Sequence, residues 1–385
     1  MTTEMLTSTI NITEDYINEN HTFYITNDNY LPSSYISFIN FVDFNVVPAI
    51  SVLGILTNVL TFAILIRPPL NNFSPSVYLA AYCIASALVC SLVTGLGFIF
   101  QINDWLDIEL RSDSSCKIWS FVKSFLNSSP NWFLTGAAMD RMVAIWCPKR
   151  AQSVCSVFMA RVFVSLTMVF LTIVTIHEMW SNTIINIHTK VTCQADYHLN
   201  MYEYVGLMIR QAVLIFLPSV LLFFLGNFLL LRLCLKHHGR QILNTSTPDL
   251  DLTYVVTVHV IITSVLNCPE RILQITAFVN NNNLTRFMFQ IFYYIGFIAY
   301  ICLFLVMIVQ SRDFREAVVS ILRTNTLCCC TKRNSTIELR LMNEYNQVPS
   351  ASTSVWRLFN KMWFMFAVLA FTSRVLQNTF IPLKW

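Results

Sequence analysis

Charge is scarce in this sequence. Asp, Glu, Lys and Arg make up 12% of its 385 residues, against about 25% in soluble domains, while apolar residues reach 55%. A chain so poor in charge cannot coat a water-facing surface, which excludes an ordinary soluble domain. The net charge of +4 is too mild for a nucleic-acid binder. Enzyme signatures are missing too: there is no His-Glu-x-x-His, no phosphate-cradling glycine loop and no Gly-x-Ser-x-Gly. No enzyme, cofactor or metal site is therefore expected. Residues 1–43 hold no Lys or Arg, only the acids Glu4, Glu14, Asp15, Glu19, Asp28 and Asp43. They also lack a basic stretch followed by an apolar core, so the first apolar span is expected to serve as the targeting signal.

What the chain has in abundance is long apolar runs, at roughly 44–66, 75–100, 116–147, 157–180, 204–235, 252–279 and 285–310. Each is about 20 residues or more, enough to cross a bilayer as a helix. The connectors alternate in charge. Arg67, Lys149 and Arg150, Lys236 and Arg240, then Arg312, Arg315 and Arg323 fall on one side; Asp104, Asp107, Glu109, Asp113, Asp196 and Glu203 fall on the other. The positive-inside rule then puts the amino terminus outside the cell and the carboxyl terminus in the cytoplasm. The expected fold is an all-α membrane protein, a bundle of seven transmembrane helices. An extracellular tail (1–43) precedes the helical domain (44–323), which ends in an amphipathic eighth helix (312–323) on the inner leaflet. A cytoplasmic tail (324–385) follows, with a short apolar segment (356–371) expected to be membrane-associated. Asn11 and Asn20 head glycosylation sequons, and Cys328, Cys329 and Cys330 invite S-acylation next to the membrane.

The third run ends in Asp140-Arg141-Met142. Ionised groups at membrane depth are costly and tend to be functional. Cys116 precedes Arg141 by 25 residues, about 37 Å of helix. Lys123 and Arg141 lie 18 residues apart, about five turns, and so share a face. Of twelve cysteines only Cys116, at the outer end of the third run, and Cys193, in the loop after the fourth, fall on the exterior side. They are expected to form a disulfide, the alternative being two free thiols. Ile185 to Tyr197 around Cys193 reads as a short hairpin lid. Pro218 and Pro269 interrupt the fifth and sixth runs as hinges or as shaped walls.

Asn58, the Cys116 and Cys193 pair, Asp140-Arg141-Met142, Pro218, Pro269 and the Ser311-Arg312-Asp313-Phe314-Arg315 opening of an eighth helix together resemble the rhodopsin-like G-protein-coupled receptors, over roughly residues 44–330. The resemblance implies a plasma-membrane receptor that activates a heterotrimeric G protein through Arg141. Asp140, with Asp249 or Asp251, would hold that arginine in a cytoplasmic latch. The chain differs from the family pattern at Ser86, Gly226, Asn267 and Leu303 to Met307, where a sodium-binding Asp, a Tyr, a Trp switch and Asn-Pro-x-x-Tyr are usual.

Lys123 takes the place where amine receptors keep an Asp, which disfavours an amine ligand. Lys123, Arg210 and Arg271 sit in the outer halves of three runs, with Glu270 as the one nearby acid. A mildly cationic pocket is expected, with Asn127, Asn267 and Tyr293 in its wall, for a neuropeptide or an acid-bearing small molecule. The rival reading of Arg271 is a structural pair with Glu270. A transporter or channel, or a seven-helix binding protein without G-protein signalling, are the alternative functions; ion flux against nucleotide exchange separates them.

Overall fold

Backbone placed in hydrocarbon must satisfy its own N–H and C=O groups, so apolar runs of this length fold as helices. The computed structural model describes residues 33–102, 107–187, 190–195, 211–239, 248–279 and 283–327. The two sequons, Arg210, Cys328 to Cys330 and segment 356–371 lie outside them. The long helices are α1 (Val47–Leu65), α2 (Ser74–Leu88), α3 (Asp113–Trp146), α4 (Val157–Thr175), α5 (Leu217–Gly239), α6 (Pro248–Val279), α7 (Asn283–Gln310) and α8 (Arg312–Leu327). Among the described residues six helical stretches are long and apolar enough to cross a membrane: Ser37–Leu65, Ser74–Phe100, Val157–Ser181, Ala212–Leu235, Leu250–Leu273 and Phe287–Gln310. These features suit an all-α, multi-pass membrane protein. The chain divides into two units, Met1–Val318 and Val319–Trp385; the contacts below belong to the first.

Seven runs were expected to be apolar enough, and α3 is the exception. It is 34 residues long, about 51 Å, but is rich in Ser, Asn and charge. It can be polar because it is sheltered: α3 packs against α2, α4, α5 and α6. Its hydroxyls turn back on their own helix, with Ser128 donating to the Ser124 carbonyl at 2.8 Å, Ser129 to Phe125 at 2.6 Å and Thr135 to Asn131 at 2.7 Å. Ser112 caps its start, accepting from the Ser115 N–H at 3.2 Å while the Ser115 hydroxyl accepts from the Ser112 N–H at 3.0 Å. That reciprocal box satisfies two donors a helix start leaves bare.

The amino-terminal boundary also moves. Ser33–Phe41 and the π-helical Val42–Val46 lead into α1, so residues 33–43, expected in the tail, are helical. Asp43 is tolerated there because the Tyr294 hydroxyl of α7 donates to its carboxylate, while Gln290 donates to Tyr294 at 2.6 Å. Further π-helical turns, Val89–Gly95 and Ala212–Phe216, interrupt the second and fifth stretches. The latter lies just before Pro218, where the ring denies the helix an N–H. Pro130 and Pro269 sit inside α3 and α6. α1 is tied to α7 by Asn58, which donates to the Gly54 carbonyl at 2.8 Å and the Tyr300 carbonyl at 2.9 Å.

Candidate functional site

The hairpin expected around Cys193 forms, slightly earlier in the chain. Strands β1 (Asn182–Ile187) and β2 (Lys190–Ala195) pair antiparallel, with Ile184 opposite Cys193. Cys193 is bonded to Cys116 in the first turn of α3, with Cα atoms 5.7 Å apart. Asp113 adds a second tie: its Oδ1 accepts from the Thr183 hydroxyl at 2.7 Å and the Ile184 N–H at 3.4 Å, and its Oδ2 pairs with Lys117 at 2.6 Å. The hydrogen bond from Lys117, then that from Thr183, hold the Asp113 carboxyl below the usual carboxylate range. The hairpin is therefore anchored by a covalent bond and a carboxylate on the same helix end.

Beneath the lid, Lys123 has a carboxylate partner absent from the expected charge balance. Its Nζ donates to both Glu109 oxygens at 2.9 Å, and Glu109 is 8% exposed. The expectation that Glu270 is the one nearby acid is corrected: the loop before α3 folds back and delivers Glu109 to the cation. Asn127 lies one turn further down α3 on the same face, partly buried.

The sixth-helix candidates gather separately. Glu270 is 5% exposed, and its Oε1 pairs with Arg271 Nη1 at 3.2 Å. A burial this deep demands such a partner, so the structural reading of Arg271 describes the geometry. Gly296 of α7 allows the approach. A Cβ there would stand 3.0 Å from Asn267 Oδ1 and 3.4 Å from Glu270 Oε2. Tyr293, one turn earlier on α7, stacks edge-on against Phe297 with centroids 4.8 Å apart. Val89, Val93, Leu126 and Phe297 form an apolar plug, with Val122 and Tyr293 packed on it. The candidate residues thus fall into two charge-balanced pairs, Lys123 with Glu109 and Arg271 with Glu270, and Tyr293 packs on an apolar cluster.

Deeper in the bundle, His259 is completely buried, its ring edge-on to Tyr82 at 5.0 Å. Neither ring nitrogen has a hydrogen-bond partner among the described residues, and the buried Thr263 hydroxyl shares that condition. Ser86 is four residues from Tyr82 and Thr263 four from His259, so each pair occupies one face of its helix.

At the other end of α3 the Asp-Arg pair is closed on itself. Arg141 is 2% and Asp140 8% exposed. Arg141 donates to Asp140 Oδ2 from Nε at 3.0 Å and from Nη2 at 2.7 Å, and from Nη2 also to the Ser74 hydroxyl at 3.0 Å. Ser74, in the first turn of α2, donates in turn to Asp140 Oδ2 at 2.9 Å. The serine completes the triad by bridging two helices, and nothing in its local sequence marked it. Asp251, expected as a latch partner, accepts the Arg312 backbone N–H at the start of α8, where a helix N-terminus favours a carboxylate. Asp249 falls in the first turn of α6, with its side chain outside the described set.

No protein-family model matches this chain, and no curated protein matches it in sequence.

Proposed function

We propose that the chain is a receptor of the plasma membrane, a seven-helix bundle in which α3 is the seventh crossing. It senses an extracellular neuropeptide or acid-bearing small molecule and activates a heterotrimeric G protein. The amino end is outside, the carboxyl end inside, and α8 lies on the inner leaflet. The observation that carries this reading is the buried Ser74–Asp140–Arg141 triad, on the same helix that the disulfide to Cys193 ties to the lid. One rigid element thus connects an outer binding face to a stored guanidinium.

The mechanism is a population shift. A ligand that contacts the lid and the outer pocket better in a second arrangement of the bundle favours that arrangement by its difference in affinity. Lys123 and Arg271 each already hold a carboxylate, so a ligand carboxylate enters by displacing Glu109 or Glu270 rather than by filling an empty cationic site. Movement of α6, perforated by Pro269, then opens the bundle end and Arg141 turns to the G protein.

A transport function is the second reading. It draws on the buried Glu270–Arg271 pair and on His259, because intramembrane ionisable groups also mark ion paths. Screening a neuropeptide library against the expressed chain with a G-protein readout, alongside ion flux in proteoliposomes, separates the two. Peptide-dependent nucleotide exchange without flux supports the receptor; flux without exchange defeats it.

A further inference from the structure

Two groups of cations stand out; outside them, Arg315 donates to the Ile308 and Val309 carbonyls and Arg111 precedes α3. Lys117, Lys123, Arg141, Arg271 and Arg312 each hold a carboxylate. Arg67, Lys149, Arg150, Arg161 and Arg232 are exposed, and among the described residues they make no ion pair. All five of the second group belong to one end of the bundle. Arg67 follows α1, Lys149 and Arg150 follow α3, Arg161 opens α4, and Arg232 lies in the last turns of α5. The Arg232–Trp146 contact joins the ends of α3 and α5, and Cys155, just before α4, donates to the Asp140 carbonyl at 3.3 Å.

The cations between α3, α4 and α5 are organised rather than scattered. The Arg232 guanidinium lies 4.0 Å over the Trp146 ring, whose other neighbour, Phe228, meets it edge-on at 6.5 Å. Stacking fixes the plane of the guanidinium and leaves its N–H fork free for a phosphate. From Trp146 the chain turns at once, Arg150 donating its backbone N–H to the Cys147 carbonyl at 2.9 Å, and carries Lys149 and Arg150 alongside. The flanking side chains face lipid: Phe158 is 71% exposed, and Leu231 and Leu235, on either side of Arg232, are 53% and 59% exposed. Cations interleaved with outward apolar groups belong to the bilayer perimeter, not to the mouth where a protein partner would enter.

We propose that this perimeter binds the headgroup of a multiply phosphorylated inositol lipid, with Arg232, Lys149 and Arg150 on its phosphates and Trp146 at the interface. Several unpaired cations beside one stacked arginine outmatch a singly charged headgroup. The site needs only that the helices cross a bilayer; its leaflet rests on the orientation proposed above.

The test uses the full chain in phosphatidylcholine nanodiscs, with the lipid in both leaflets so that orientation does not enter. Binding of a phosphatidylinositol bisphosphate carrying a fluorescent acyl chain is compared with phosphatidylserine at matched total charge and with soluble inositol trisphosphate. Saturable uptake of the inositol lipid is expected. It should weaken by about a hundredfold in the Lys149→Gln, Arg150→Gln, Arg232→Gln chain, about 1 kcal/mol for each of the three cations near the surface. Arg67→Gln, elsewhere on the perimeter, should change it by less than about twofold. If the triple variant fails to fold, the exposed pair Lys149→Gln, Arg150→Gln carries the comparison. Equal binding of phosphatidylserine, equal binding of the soluble headgroup, unchanged affinity in a folded variant, or saturation by an acidic peptide in place of lipid would each overturn the proposal. None of these readouts involves a G protein, so failure here is distinct from failure of the receptor reading.

Discussion

Reversing one charge on α3 tests the pairing of Lys123 with Glu109. Lys123→Glu sets a carboxylate where an ammonium now donates to both oxygens of Glu109 at 2.9 Å. The two side chains are 21% and 11% exposed, between the open surface, where a pair is worth under about 1 kcal/mol, and the full interior, where losing one partner costs about 3–5 kcal/mol. A loss of about 2 kcal/mol is expected for Glu109→Gln, and more for Lys123→Glu, where like charges meet. The swap Lys123→Glu with Glu109→Lys restores opposite signs and should recover most of the loss. Unfolding by SDS of the wild type, both single charge reversals and the swap completes a double-mutant cycle, with an expected coupling of about 3 kcal/mol or more in favour of the swap. A coupling near zero, with the losses of the two single variants adding in the swap, would refute the pairing.

Three further outcomes follow from particular contacts. His259→Leu removes two buried nitrogens that lack partners and should raise stability by about 1–2 kcal/mol, read as a higher thermal midpoint; a lower midpoint would mean that the nitrogens are bonded. Gly296→Val forces a Cβ to 3.0 Å from Asn267 Oδ1 and should cost about 1–3 kcal/mol, whereas Gly97→Ala, with nothing within 4 Å, should leave the midpoint in place. Asp113 is held below its ordinary range in the fold, so its contribution is present above the unfolded carboxylate value of about 4 and is lost as pH falls through the lowered one. The difference in thermal midpoint between wild type and Asp113→Asn should therefore be constant near neutrality and close in acid; a difference that persists in acid would remove Asp113 from the lid anchor.

Much of the architecture was legible because membrane helices announce themselves by length and composition, and the disulfide because compartment left few partners. The features that were not legible depend on tertiary contacts. α3 breaks the composition rule because its neighbours shelter it, which no window over its own residues reveals. The helix before α1 hid behind Asp43, an acid that reads as a tail until Tyr294 of α7 is seen to donate to it. Glu109 stands in a short acidic loop where its charge agreed with an exterior face, and only the fold turns it onto Lys123. Ser74 carries no signal beyond its place at a helix start. Asp251 was legible as an acid at the foot of the sixth run, yet it accepts from the backbone at the start of α8, a contact that only the fold supplies.

In the proposed receptor, Arg141 passes occupancy of the outer face to a G protein. The most direct measurement is guanine-nucleotide exchange on purified heterotrimers by the reconstituted chain, with an activating ligand from the screen, beside the Arg141→Ala variant at equal surface density. Exchange that rises with ligand in the wild type and stays at background in Arg141→Ala, with ligand still bound, is the predicted result. Equal exchange from both chains would contradict it.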